Sequence, residues 1–376
     1  MRKRQRPLSF RLLALSAAVL GLSAVYWTGC GSENQDPVST APNRTEFTET
    51  LDLSNPRVQA TMAVQDRHTP DLMQDNNVVG TATGVDDAGN MVIKVYLRNP
   101  MDRTLQLESL DGIVVQYEVT GQFVAMKGGG GGGANPKLIQ TPPIKLGTSG
   151  GWRYDLANGY CCGGTLGAVV LKGGTQYVLS NYHVLEADIV SGGNSRVATA
   201  GDPVIQPGLI DVNCNAANAQ NVASLSGIKS LPNSNTDCAI ASVLPGMVSS
   251  TGEILNVGTI SATTQAASLG QAVKKMGRTT GLTRSSVSGL NANVSVAYEN
   301  ECAGGSAFTK TYSGQIVISN NGSKFLAGGD SGSLMVQDVT TNPRAVGLLF
   351  AGSTSSAIAN PIGQVLSFLG ASMVGN

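Results

Sequence analysis

Histidine is scarce in this chain, with two in 376 residues, and aromatics make up only 5%. Long apolar runs at helical spacing are also rare, while glycine reaches 47. That balance leaves mostly turns and short strands, so an all-β core is expected. Neither sign of charge is in excess, since acids and bases stand at 25 each. There is thus no basic footprint for nucleic acid and no acidic tail for a basic partner. Zinc-type spacing is missing too, because Cys161 and Cys162 are adjacent and no histidine follows at ligand distance. No metal and no cofactor are expected, and any imidazole chemistry is confined to His68 or His183.

The amino terminus carries Arg2, Lys3, Arg4, Arg6 and Arg11 ahead of the apolar run Leu12 to Trp27. This is the charge-then-apolar order of an export signal, and the run is short for a membrane span. It ends in "TGC", which resembles a bacterial lipoprotein processing site with Cys30 as the lipidated residue, although Trp27 departs from the usual small aliphatic residue. Cleavage to a soluble secreted form and retention as an uncleaved anchor are the alternatives. Of the 6 cysteines, Cys30, Cys161, Cys162, Cys214, Cys238 and Cys302, lipidation of the first would leave an odd number. A bridge is expected in an exported protein, but spacing does not give its connectivity.

Five segments follow from composition. Residues 1–30 read as the signal peptide and 31–53 as a polar, Pro-containing tether. Residues 54–127 read as a small α+β unit. It has a helix, or two short ones, interrupted at Pro70, then β-rich runs around "DDAGN", then "GIVVQYEVTG". The glycine run at 128–133 cannot hold a regular element at acceptable entropic cost, so 128–150 is read as a linker and domain boundary. From 151 to 376 short Val, Ile, Leu and Thr runs alternate with Gly, Asn and Ser clusters, enough for two small closed barrels. Only "NPIGQVLSFLG" at the end looks helical.

In "AGGDSGSLMV", Ser331 sits among glycines directly before a strand. Such a turn can aim main-chain N–H groups into one space, and a serine placed there is either a nucleophile or an ordinary exposed turn residue. A serine hydroxyl needs a base, and histidine is the usual one near neutral pH. His68 lies in the polar helical stretch "QDRHTPD", which reads as a solvated face. His183, in "YVLSNYHVLEA", falls where a β-rich run ends and the chain turns. An imidazole used this way needs a carboxylate to fix its tautomer. Among Glu186, Asp188, Asp202, Asp211, Asp237, Glu253, Glu299, Glu301 and Asp330, Asp237 is best placed, between a polar loop and the apolar strand of "NTDCAIASVL". Asp211 in "GLIDVNCN" is the runner-up. The chain order His183, Asp237, Ser331 is that of the chymotrypsin-type triad.

"GTLGAVV", "YVLSNYHVL", "DCAIA", "MGRTTGLTRSSVSG" and "GGDSGSL" together resemble a trypsin-like serine peptidase of the chymotrypsin fold. More closely, they are similar to a bacterial group related to the plant narrow-leaf proteases. The resemblance implies two six-stranded antiparallel barrels, with His183 and Asp237 from the first and Ser331 from the second. It also implies oxyanion-hole N–H donors at Gly329 and Ser331. Asp330, buried beside the nucleophile, then needs a cationic partner. Because "MGRTTG" resembles the segment in which secreted bacterial relatives supply an arginine, an Arg278–Asp330 ion pair is expected.

Ser333 replaces the second glycine common after the nucleophile. Aligned on the serine, Phe325 falls where a trypsin-like specificity acid would lie, and Phe350, Ala351 and Gly352 would form the pocket wall. With no acid there, a small or apolar residue is expected on the acyl side of the cut. The expected function is an exported serine endopeptidase acting on polypeptides through an acyl-enzyme, with membrane attachment only through a lipid on Cys30. The alternatives are a protease-fold binding protein with little turnover, or self-processing only, with the glycine linker cut. The sequence indicates no oligomeric state.

Overall fold

The computed structural model describes residues 49–125, 135–157, 160–186, 196–298, 307–322 and 324–376. The expected signal peptide with Cys30, most of the tether, the glycine run and Cys302 lie outside the described residues.

Short strands separated by Gly, Asn and Pro turns pair into an eight-stranded antiparallel sheet. Its wall runs Gly164–Leu166, continued as Ala168–Lys172, then Thr175–Ser180, Ala239–Val243, Gln220–Leu225 and Pro203–Gln206. Pro203–Gln206 pairs with Thr148–Trp152, which returns to Gly164–Leu166 and closes a six-stranded barrel. The break between Gly164–Leu166 and Ala168–Lys172 is at Gly167, whose N–H still donates to the Leu179 carbonyl at 2.9 Å. A Cβ at Gly167 would lie 2.0 Å from the Gly332 carbonyl oxygen. Glycine there lets the serine turn of the second barrel press directly on the first.

The second barrel follows the same logic. Ala272–Gly277, Gly281–Tyr298, Phe308–Ser319, Ser356–Pro361, Ala345–Gly352 and Leu334–Gln337 pair in that order. Ala272–Gly277 also pairs with Leu334–Gln337, so the ring is closed with six strands. A C-terminal helix, Ile362–Leu369, packs beneath and ends at Gly370 in the left-handed conformation, φ +61°. The expected all-β fold of two six-stranded antiparallel barrels is the architecture observed.

Residues 54–125 hold a helix and short strands that join the second barrel. Asn55 caps the helix Pro56–Leu72 by accepting the Arg57 N–H at 2.9 Å, and Pro56 opens it, where a missing N–H costs nothing. Strands Val78–Val85 and Met91–Leu97 form the hairpin around Asp86, whose N–H reaches the Asn90 carbonyl at 2.9 Å. Ile113–Val119 then joins in parallel. Val78–Val85, however, pairs antiparallel with the distal half of Gly281–Tyr298, Gly80 opposite Val294. The small sheet and the second barrel are therefore one eleven-stranded sheet within one compact unit, Asn43–Asn376. The physical reason is the length of Gly281–Tyr298: at 18 residues it overhangs the barrel and would otherwise leave an open edge. Buried Gln65 fastens the helix to that edge, donating to the Asn291 carbonyl at 2.9 Å and accepting from Thr83 Oγ1 at 2.8 Å.

Cys161 and Cys214 are bridged, with Cα atoms 5.3 Å apart, and Cys162 is also disulfide-bonded. Cys238 is a free, buried thiol, pushed up to about 12 chiefly by burial. Since the thiolate is the reactive form, Cys238 should resist iodoacetamide in the folded protein at pH 8 and react once urea unfolds it. Peptide mass mapping reads this, and rapid native labelling at Cys238 would contradict the burial.

Candidate active site

The strand Thr175–Ser180 ends at Asn181, and the chain makes a single helical turn, Tyr182–Leu185, that carries His183 inward. Asn181 fixes the turn against the neighbouring loop by donating its side-chain amide to the Asp237 carbonyl at 2.6 Å. Asp237 heads the strand Ala239–Val243, and its own N–H is held by Asn360 Oδ1 at 2.9 Å. His183 Nδ1 and Asp237 Oδ2 are 2.5 Å apart, and the His183 backbone N–H points at the other carboxylate oxygen, 3.3 Å away. The runner-up acid, Asp211, lies elsewhere. Its carboxylate accepts from Ser149 Oγ at 2.5 Å and from the Arg278 guanidinium.

Two tyrosines that sequence reasoning passed over complete this cluster. Tyr298 donates its hydroxyl to Asp237 Oδ2 at 2.8 Å, lies edge-on to the His183 ring at 5.8 Å, and meets the Tyr312 hydroxyl at 2.6 Å. Burial holds the Tyr298 phenol well above its ordinary range, reinforced by the Asp237 charge, so it is a donor throughout the physiological range. The signal available in the sequence was slight: a strand-end tyrosine in "VSVAY" and another in "TKTY".

Ser331 comes from the second barrel. Gly332 follows it at φ +92°, a conformation suited to glycine, and a Cβ there would also lie 2.2 Å from the Thr165 carbonyl oxygen. The Ser331 carbonyl accepts the Thr165 N–H at 2.8 Å, which pins the turn across the barrel junction. The hydroxyl donates to the Phe350 carbonyl at 3.0 Å, while His183 Nε2 makes no hydrogen bond. Gly329, the other expected oxyanion donor, has φ +97°. His183 is 1% exposed, and Asp237 and Ser331 are 0% exposed.

The expected Arg278–Asp330 pair is corrected by the structure. Arg278 instead forms a two-pronged bond with Asp211, Nε to Oδ2 at 2.7 Å and Nη2 to Oδ1 at 2.6 Å. Asp330 is paired with buried Lys275 at 3.3 Å. The Asp330 carboxylate also accepts from the N–H groups of Thr279 (2.8 Å), Thr280 (3.1 Å) and Ala327 (3.1 Å), and from Thr280 Oγ1 (2.6 Å). The strand's pleat decides the matter: Lys275 lies within Ala272–Gly277 and reaches the carboxylate through the barrel interior. Arg278 lies past the strand's end and faces the first barrel. Burial draws the Lys275 pKa down, opposed by the Asp330 charge.

The four expected pocket residues are engaged in core packing and strand pairing. Phe325 is a core side chain packed with Leu326, Met335 and Leu349, whereas Phe350 lies edge-on to Tyr312 at 4.9 Å in a separate cluster. Ala351 and Gly352 are taken up in strand pairing with Ala125 and Val124. Among the described residues no group of three or more His, Cys, Asp or Glu side chains is arranged to hold a metal ion.

Two six-stranded barrels, one supplying a His–Asp pair and the other a glycine-flanked serine, give the chymotrypsin-type double-barrel fold. Residues 233–360 match the family model of the Nal1 C-terminal domain. A comparison with curated proteins finds no match. Among solved structures, Thermobifida fusca Protease A is 19% identical, covering 62% of this chain and 99% of its own, with a TM-score of 0.41. A glutamic-acid-specific serine protease is 21% identical, covering 61% and 100%, with a TM-score of 0.39. The Cellulomonas bogoriensis chymotrypsin is 19% identical, covering 56% and 91%, with a TM-score of 0.36.

Proposed function

We propose that this chain is an exported serine endopeptidase in which His183, Asp237 and Ser331 act as the triad. The observation that carries the reading is the 2.5 Å contact between His183 Nδ1 and Asp237 Oδ2, made in the same junction where the serine turn is pinned to the first barrel. A carboxylate on Nδ1 keeps the proton there and leaves Nε2 as the acceptor. Rotation of the Ser331 hydroxyl from the Phe350 carbonyl to Nε2 readies the nucleophile. Oγ then bonds to the substrate carbonyl carbon as its proton passes to Nε2. The C–N bond breaks, and the leaving amine takes that proton. Water repeats the sequence, giving its proton to His183 as its oxygen bonds to the acyl carbon; the Oγ–C bond breaks and Ser331 recovers the proton. The N–H groups of Gly329 and Ser331 would stabilise the oxyanion, a contribution of about 3–4 kcal/mol per donor.

Export through residues 1–30, with Cys30 as lipid acceptor or the signal simply removed, completes the proposal. The mass of the mature amino-terminal peptide reads it directly.

A second reading, a binding protein with little turnover, draws on the serine's hydrogen bond to Phe350 in place of one to the imidazole. A fluorophosphonate probe separates the two, since it bonds only to an activated serine. Prolonged incubation should label the wild-type chain to one equivalent and leave Ser331→Ala and His183→Ala unlabelled. A wild-type chain that takes up no probe favours binding.

A further inference from the structure

The strand Ala345–Gly352 carries the carbonyl that holds the Ser331 hydroxyl, and its two edges are filled unequally. Ser356–Pro361 runs along one edge from Gly347 to Gly352. Leu334–Gln337 covers the other only as far as Leu348, and the serine turn follows, with Gly332 N–H on the Leu349 carbonyl at 3.0 Å. What remains of that edge, Ala351 and Gly352, is paired antiparallel with Ala125 and Val124 of the short strand Phe123–Ala125. On its far side this strand pairs in parallel with Val296 and Ala297. Phe123 anchors it, fully buried and edge-on to Tyr96 at 5.7 Å, and Gln122 donates to the Ser295 carbonyl at 2.8 Å.

An extended polypeptide is commonly recognised by joining an open sheet edge, its main chain supplying the hydrogen bonds. For a peptide carbonyl to meet Ser331, that edge must be the one beside the serine turn. Here it is occupied by the protein's own chain. With Val124 opposite Gly352 and Ala125 opposite Ala351, the segment runs toward Phe350, the residue that holds the nucleophile. The burial of His183 and Ser331 agrees with a covered site.

We propose that Phe123–Ala125 is a built-in occupant of the polypeptide-binding edge, which keeps the peptidase closed until this strand leaves. The inference rests on the peptidase reading above. Because the strand is tethered, a free peptide competes against a high effective concentration, so the intact chain turns over slowly.

The test is the rate of fluorophosphonate labelling of the full chain, its Val124→Pro variant and its Phe123→Ala variant. Proline removes an N–H from the ladder, and alanine removes the anchor. Both variants should label at least tenfold faster than wild type, with Ser331→Ala abolishing labelling in each background. Variants that label no faster than a readily labelled wild type overturn the inference and leave the peptidase reading intact. Absence of labelling in all three removes both. Continued protection of Cys238 from iodoacetamide shows that a variant is folded. Should either variant lose it, hydrogen exchange on the wild type decides: covalent labelling of Ser331 should speed exchange at the Val124 and Ala125 amides at least tenfold, and unchanged protection overturns the proposal.

Discussion

Replacing Lys275 with methionine will destabilise the protein by about 3 kcal/mol, the lower end of what removal of one partner from a buried ion pair costs. The lower end applies because the Asp330 carboxylate keeps four other donors, three backbone N–H groups and the Thr280 hydroxyl. Lys275 Nζ also donates to the Gly281 carbonyl at 3.1 Å and to Thr280 Oγ1, so the same ammonium ties the carboxylate to the turn that begins the long hairpin. Urea unfolding measures the effect, and a double-mutant cycle assigns it. Lys275→Met combined with Asp330→Asn should show a coupling of at least 1 kcal/mol, while Arg278→Ala combined with Asp330→Asn should be additive within about 0.5 kcal/mol. The opposite ranking would restore Arg278 as the partner of Asp330. Arg278→Ala should still cost stability, because the part-buried Asp211 carboxylate would be left without its cation.

The exchange of partners shows where local reading reaches its limit. "QAVKKMG" places two lysines side by side in a strand, and successive side chains point to opposite faces, so both could not face solvent. That signal was present, but which carboxylate the inward lysine meets depends on a residue 55 positions later in the chain, beyond any periodic pattern. The contact of His183 with Asp237 and the glycine turn around Ser331 were legible for a different reason. Each of the three is a chemically special residue with a local signature: a rare imidazole at a strand end, an acid at a strand head, a serine among glycines. The barrels were legible as alternating apolar runs between turn residues. The joining of Val78–Val85 to Gly281–Tyr298 was not, because edge pairing is set by sheet geometry and a glycine run between the partners reads as separation. The strand Phe123–Ala125 escaped notice for the same reason, being three residues long with both partners distant.

Converting Asp237 to asparagine should lower the rate of Ser331 labelling by about four orders of magnitude while leaving the barrels folded. A carboxylate can only accept at His183 Nδ1, which reserves Nε2 for the serine proton. An amide can turn its NH2 toward Nδ1 and so stabilise the tautomer with the proton on Nε2, where no proton can be taken. Tyr298→Phe provides the comparison, since it removes a single hydroxyl from the same carboxylate oxygen and leaves the imidazole contact in place. A hydrogen bond to a charged group contributes about 1.5–3 kcal/mol, so its loss should slow labelling by roughly 10- to 150-fold. Both substitutions are best measured in the Val124→Pro background, where access to Ser331 is not the slow step. Iodoacetamide protection of Cys238, one residue from Asp237, reports on whether the local fold survives. Equal losses in the two variants would mean that Asp237 acts only by packing the tyrosine pair, and a negligible loss in Asp237→Asn would place the base's orientation elsewhere. The steep ranking is expected because, in the proposed triad, only Asp237 decides which imidazole nitrogen is free to accept the proton of the attacking oxygen.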